Sequence, residues 1–586
     1  MSTRTLSALA GCCLLLGGGC LLLGGGCTEP NPATDGGVTP DAGSPAPLIC
    51  PPGYSKCQGT VRRACNARGT AWSSEDCARS GKRCLVLNGL GTCTHMLCEP
   101  ESGGCADDGL TTRTCSGDGM RWIKGRVCDL GKGEICYSGS CQNACQHEAR
   151  SKQSLGCTFY PVNLDNRNPD KVGIVVSNPS RVAARVTLAT ASGAVGQKDL
   201  QPGKLATFII DPGVNMLKGS GKQRSGYLLN STLPIAAYQF SPLNKAEQRS
   251  NDASLLVARP ALGKLYYVFS AAVPKQGERS YVTIVGTQAG TTVTVTPTAD
   301  TDAGGGVPAV KAGKAYSATL GPLDVLQLAA TAVKADLSGT RVSADRPVAV
   351  FGGNSCARLP TDKDWCDHVQ EQMFPVETWG TTYLASRYRP RGKRAEDDHW
   401  LIVASRDDTS VTLLGSATLP SVPTLRAGQT VQIVTPESFV IRADKAVGVA
   451  HYMVGQQAVP VPLDGAVYDE GFQTRKGCTI SASDSNMGDP AVSVTVPVGQ
   501  FRTGYLFLTP DTYQYDFVSV MVPASKDTPD IVLDGRSIPV TLTRIGDTDY
   551  RYAWLRVSDG PHRMTGTTPF GIEVHGYDCN VSYAYS

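Results

Sequence analysis

Beyond residue 157 the chain is built of short runs in which β-branched and aromatic residues mostly take every second place. Val172-Gly173-Ile174-Val175-Val176, Tyr281-Val282-Thr283-Ile284-Val285, Thr292-Val293-Thr294-Val295-Thr296 and Val518-Ser519-Val520-Met521-Val522 are examples. That period belongs to strands. A weaker pattern recurs above it: a pair of strands, an Ala/Pro-Gly turn, a further strand, then an apolar strand opened by Pro or Ala. The turns are Pro202-Gly203, Ala312-Gly313 and Ala427-Gly428. The closing strands begin at Pro234, Pro347, Ala446 and Pro569, and proline suits a strand's first residue, where the ladder can spare a donor. The pattern predicts an all-β fold of four tandem antiparallel β-sandwich units, Ig-like or jelly-roll-like, over 146–247, 248–362, 363–476 and 477–586. A single β-propeller is the alternative, although its blades would be shorter.

Upstream the pattern gives way to cysteine. Thirteen cysteines fall from Cys50 to Cys145, and the spacing repeats: Cys50, Cys57, Cys65, Cys77, Cys84 and Cys93 match Cys98, Cys105, Cys115, Cys128, Cys136 and Cys141. Two modules, 50–97 and 98–145, are therefore expected, each too small to stand without staples. Trp72 and Trp122, at matching offsets, are expected to be their cores. Fifteen connectivities per module stay open. Structural zinc is the competing reading, but the block has no C-x2-C pair.

The first residues explain why those cysteines should be oxidised. Arg4 precedes an apolar stretch, and Leu23-Gly24-Gly25-Gly26-Cys27 follows; this resembles a bacterial lipoprotein signal, which implies lipidation at Cys27 and a place in the outer membrane or on the cell surface. The same string also ends at Cys20, and a secretory signal cut near Ala33 or an uncleaved, glycine-interrupted membrane helix are the other readings. Residues 28–49 read as a Pro/Gly-rich tether. In an oxidising compartment the remaining cysteines pair as Cys145 with Cys157, Cys356 with Cys366, and Cys478 with Cys579.

A family resemblance rests on Asp336-Leu337-Ser338-Gly339-Thr340-Arg341-Val342, the run Ser343 to Gly353, Cys356, then Cys366-Asp367-His368-Val369-Gln370-Glu371-Gln372 and Pro375-Val376-Glu377-Thr378-Trp379-Gly380. Pro234 to Phe240 and Ser250 to Leu256 agree with it. Together these resemble the N-terminal domain of IgGFc-binding proteins, over roughly residues 157–460 and more loosely to the end. In animals that family is associated with mucus and with Fc; many bacterial members are exported proteins of unknown partner. The resemblance brings no defined ligand residues.

Composition narrows the chemistry. With 64 Gly, 37 Pro, 18% charged residues and a net charge of +3, neither a nucleic-acid binder nor an acidic disordered chain is announced. No H-E-x-x-H, G-x-S-x-G or Walker motif is present; Gly219-Ser220-Gly221-Lys222 only imitates a phosphate loop and reads as a flexible turn. Cys366, Asp367, His368 and Glu371 have the chemistry to bind metal or move protons, as does Glu396-Asp397-Asp398-His399. A disulfide at Cys366 and an exposed turn at 396–399 are the favoured structural readings. Arg387, Tyr388, Arg389, Arg391, Lys393 and Arg394 fall mostly at alternate places, which in an extended loop puts the cations on one face suited to acidic glycans or phosphate. The expectation is a non-catalytic surface binding or adhesion protein without cofactor or metal, taking an extracellular protein or glycan and held to the membrane by lipid. A surface metal-dependent hydrolase using the His368/His399 region, and a structural envelope protein with homotypic contacts, are the alternatives.

Overall fold

The structure is a computed structural model that describes residues 48–151, 155–243, 250–392, 394–461, 480–481, 483–523 and 530–586. The chain divides into two compact units, residues 1–96 and 97–586. It is mostly β, with antiparallel sheets and one short helix, Ala144–Ser151. Among the described residues, no helix is long and apolar enough to cross a membrane.

The first unit holds the first cysteine module. A three-stranded sheet, Ser55–Gln58, Val61–Cys65 and Trp72–Asp76, is followed by the hairpin Arg83–Leu87 and Leu90–Thr94. Disulfides Cys50–Cys65, Cys57–Cys84 and Cys77–Cys93 staple it. The second module, in the other unit, repeats this layout with Gly103–Cys105, Thr111–Cys115, Trp122–Val127 and the hairpin Glu134–Tyr137 and Ser140–Asn143. Its bridges, Cys98–Cys115, Cys105–Cys136 and Cys128–Cys141, have the same order of pairing: first with third, second with fifth, fourth with sixth. The tryptophans are not the cores. Trp72 and Trp122 are only half-buried, with Lys56 and Arg113 lying over their rings at 5.2 and 4.4 Å; in the first module the buried hydrophobic residues are the cysteines themselves. So short a segment buries sulfur because it has little else to bury. The disulfides of the chain mark an extracellular or secreted protein.

The body consists of four successive units of antiparallel sheet. In three of them one long strand, Leu228–Ser241, Phe439–Met453 or Gly560–Asp578, pairs through its first half with one set of strands and through its second half with another. In the second unit the same path is broken into Arg341–Ala344 and Val348–Ala357. The expected closing strands are the second halves, and Pro234, Pro347, Ala446 and Pro569 sit at the switch between the two sets. A tyrosine pins three of the unit entrances. The hydroxyls of Tyr266, Tyr383 and Tyr505 each accept the N–H of the residue three places earlier (Gly263, Gly380, Arg502) and donate to a carbonyl at the switch (Val348, Val447, Phe570).

Each unit ends in one more short strand, and for the first three it falls after the expected division: Asp252–Leu255 pairs with Leu228–Ser241, Asp367–Gln372 with Val348–Ala357, and Ala491–Val494 with Phe439–Met453. Val581–Tyr585 closes the fourth. These four inner strands pack against one another in a closed ring, so the units are sectors around an axis rather than beads on a string. Apolar clusters fill all four seams: Leu229 and Ile235 with Tyr281 and Val285, Val282 and Val350 with Ala450 and Val492, Met453 and Ala491 with Tyr515 and Tyr577, and Phe240 and Ala253 with Val574 and Tyr583. One small strand crosses a seam outright. Gly221–Gln223, expected as a flexible turn, pairs with Val325–Ala330 of the second unit, where the ladder fixes it.

Candidate functional site

The ring is held by side chains reaching neighbouring backbones. Ser250, just ahead of the first inner strand, and Asp252 and Ser254 within it accept the N–H groups of His368, Gln370 and Gln372 of the second, residue for alternate residue. Strand periodicity explains the register, since alternate side chains share a face. Asp252 is the hub: its carboxylate also takes the N–H of Ala253 at 2.9 Å and of Val492 at 3.2 Å, with a weaker bond from Ala584, so that every inner strand contributes one donor. Burial pushes the Asp252 carboxyl well up, and these four donors pull it back. Buried Asp252 and Asp367 open their inner strands, and buried Asp489 and Asp578 lie just ahead of Ala491–Val494 and Val581–Tyr585.

A second buried polar cluster joins the third and fourth units. His451 lies flat between Tyr388 and Trp400, at ring separations of 3.6 and 3.7 Å. Its Nε2 meets Asp398 at 2.9 Å and its Nδ1 meets Glu573 at 3.1 Å. Burial alone would push this imidazole down; the Glu573 and Asp398 carboxylates overrule it and raise its pKa to about 9.

These contacts reassign most of the residues singled out in the sequence. Cys145 is bridged to Cys157 and Cys356 to Cys366; Cys579 is disulfide-bonded. Cys27, Lys393 and Cys478 lie outside the described residues. The arginine run does not form one open face. Arg391 is fully buried, ion-paired to Glu396 and donating to the Met487 and Val454 carbonyls, and Tyr388 is buried on His451. The segment folds into the seam between units, where carbonyls and carboxylates must be met. Arg387 and Arg389 stack on Trp554 at 5.4 and 5.3 Å, and exposed Arg394 reaches the Val461 carbonyl. His368 is fully buried, its pKa pushed down to about 3 by that burial, while burial pushes the neighbouring Asp367 and Glu371 carboxyls up. The expected turn at 396–399 is not exposed as a whole: Glu396, Asp398 and His399 are buried, and Gln432 bonds the His399 ring at 2.8 Å. Among the described residues no cluster of three or more His, Cys, Asp and Glu is arranged to hold a metal.

An open feature lies at the other end of the axis, where the inner strands finish. There Leu255, Phe374, Val496 and Tyr585, one from each sector, surround a mainly apolar cleft of about 120 Å³. Its walls are pinned: Tyr238 and Tyr585 lie 5.0 Å apart, Tyr238 Oη donates to the Leu506 carbonyl at 3.2 Å, and Tyr585 Oη accepts the Leu508 N–H at 3.0 Å. Arg502 and Gln500 supply its polar groups. Nothing in the hydropathy pattern points to this cleft, because its lining comes from four distant segments. The nearest signal is the repeated spacing of a residue three places before each entrance tyrosine.

The family model described as IgGFc binding protein matches residues 252–576, from the hub aspartate of the first inner strand, through the second and third sectors, into the long strand Gly560–Asp578 of the fourth. The chain belongs to the IgGFc-binding family. It is 24% identical over 418 residues to human IgGFc-binding protein, a stretch that covers 70% of this chain and 7% of that relative. The chain thus spans a small fraction of the human family member's length, and the family match lies within the body, outside the cysteine modules.

Proposed function

We propose that this member of the IgGFc-binding family is an exported, non-catalytic binding protein, anchored by lipid at Cys27 on a bacterial surface, that takes an extracellular protein or glycan. The observation that carries the reading is the axial cleft: a preformed apolar mouth to which every sector contributes, on walls held rigid by tyrosine hydroxyls. Concave, mainly apolar sites with a few fixed polar groups are where ligands bind. A non-catalytic role is supported by the fate of the hydrolase residues, since Cys366 is in a disulfide and His368 is sealed in the ring. The human relative is named for IgG Fc, which makes Fc the first protein to offer.

The test is binding of the full oxidised chain to immobilised Fc and to neutral envelope polysaccharides, beside the variant Ala261→Trp. Ala261 lines the cleft and is only partly buried, so the indole fills the mouth without entering a core. Saturable binding that the variant loses, with thermal unfolding unchanged, is expected. A variant that binds as well as the parent, or concentration-dependent self-association with no ligand bound, would overturn the reading in favour of a structural envelope protein.

A further inference from the structure

A second concavity lies at the seam between the second and third sectors, and its chemistry is the opposite of the axial cleft's. It is an open groove of about 860 Å³. Tyr267 and Arg341 are directly opposed in one strand pair, and Arg341 is opposed to Thr296 in the next; residues opposite one another across antiparallel strands present their side chains on a common face. The facing wall is the turn Arg426–Gln429 together with Thr424. The two walls touch through glycine. A Cβ on Gly339 would stand 2.4 Å from the Gly428 carbonyl oxygen, and one on Gly428 would stand 2.9 Å from the Tyr267 ring, and both glycines have positive φ. The floor is thereby fixed in the backbone.

The lining is hydroxyl, amide and guanidinium, with no carboxylate. Arg341 and Arg426 are exposed, and among the described residues neither has an acidic partner within ion-pair distance. Two unpaired cations in a concave wall concentrate a positive field, and guanidinium meets planar or tetrahedral oxyanions through paired hydrogen bonds. The Thr424 hydroxyl can donate and accept, and the Gln429 amide, whose oxygen already takes the Arg426 N–H at 3.0 Å, can donate, as sugar hydroxyls require. A protein interface of this area would be centred on buried apolar anchors, and the groove supplies few.

We propose that this groove is a binding site for an acidic oligosaccharide, with Arg341 and Arg426 engaging its carboxylate or sulfate groups and Thr424 and Gln429 its hydroxyls. The site is separate from the axial cleft and does not depend on it. The experiment is calorimetric titration of the full oxidised chain with trigalacturonate, with a sulfated dextran oligosaccharide and with neutral dextran, in parent, Arg341→Gln/Arg426→Gln and Ala261→Trp proteins. Tenfold or greater loss of affinity in the double glutamine variant, weakening with salt, and no change in Ala261→Trp are expected; whichever acidic probe binds identifies the anion. Equal binding of neutral dextran, no binding of either acidic probe, or a double variant that binds like the parent would each refute the site. Because both arginines are exposed, the double variant should unfold at the parent temperature, which separates loss of binding from loss of fold.

Discussion

The cysteine modules and the inner ring hold small elements of β-structure together by unlike means. In the modules, three disulfides join segments 13 to 31 residues apart, and the sulfurs occupy the place of an apolar core. In the ring, four short strands from distant parts of the chain meet around a buried carboxylate, and hydrogen bonds take the place of covalent links. The difference follows from the length of chain available. A segment of some fifty residues cannot bury enough apolar surface to offset its lost entropy, whereas sectors with filled seams can hold a polar centre.

The largest test of this contrast is reduction. Each module disulfide is worth about 3 kcal/mol in the chain-entropy account, so the modules should lose all amide-exchange protection in reductant while strands 280–286 and 515–522 keep theirs. Simultaneous loss of both would mean that the ring leans on the modules. Next is Asp252→Ala, which leaves N–H donors from several strands unpaired in the core and should cost on the order of 3 to 5 kcal/mol in chemical denaturation. Module exchange should not respond to it.

A comparable effect is expected from pH at His451. Its folded pKa of about 9 lies above the ordinary 6.5, so the stability it lends is complete below pH 6.5 and is lost as pH rises through 9, a total of about 3 kcal/mol. His451→Gln should flatten that alkaline limb, and the parent's failure to weaken between pH 7 and 10 would show that the imidazole is not held charged. The smallest effect belongs to Arg389→Ala. Removing one guanidinium from Trp554 should shift stability by about 1 kcal/mol or less and leave acidic-glycan binding intact, in contrast to Arg341 and Arg426.

The sequence pattern showed the outer architecture and hid the inner one for a physical reason. Outer strands such as Ala184–Thr190 bury alternate residues, and the cysteine repeat is open to inspection in its spacing. The inner strands read as Asp-Ala-Ser-Leu and Asp-His-Val-Gln-Glu-Gln, compositions that suggest loops because hydropathy counts a buried polar side chain as exposed. They are strands because the polar atoms bond to the next sector's backbone. The arginine run misled for the converse reason: alternation shows which side chains share a face, but not whether a neighbouring sector covers it. Both candidate binding sites are seams, and a seam joins residues that no local window contains.

Open arrays of repeats can gain or lose a member by duplication, because each copy touches only its neighbours. Here the four copies close on a shared centre. A carboxylate has about four lone-pair positions, and Asp252 receives one donor from each of four inner strands. All four sectors of the body thus meet at one side chain, so a change at Asp252 is felt by every sector at once.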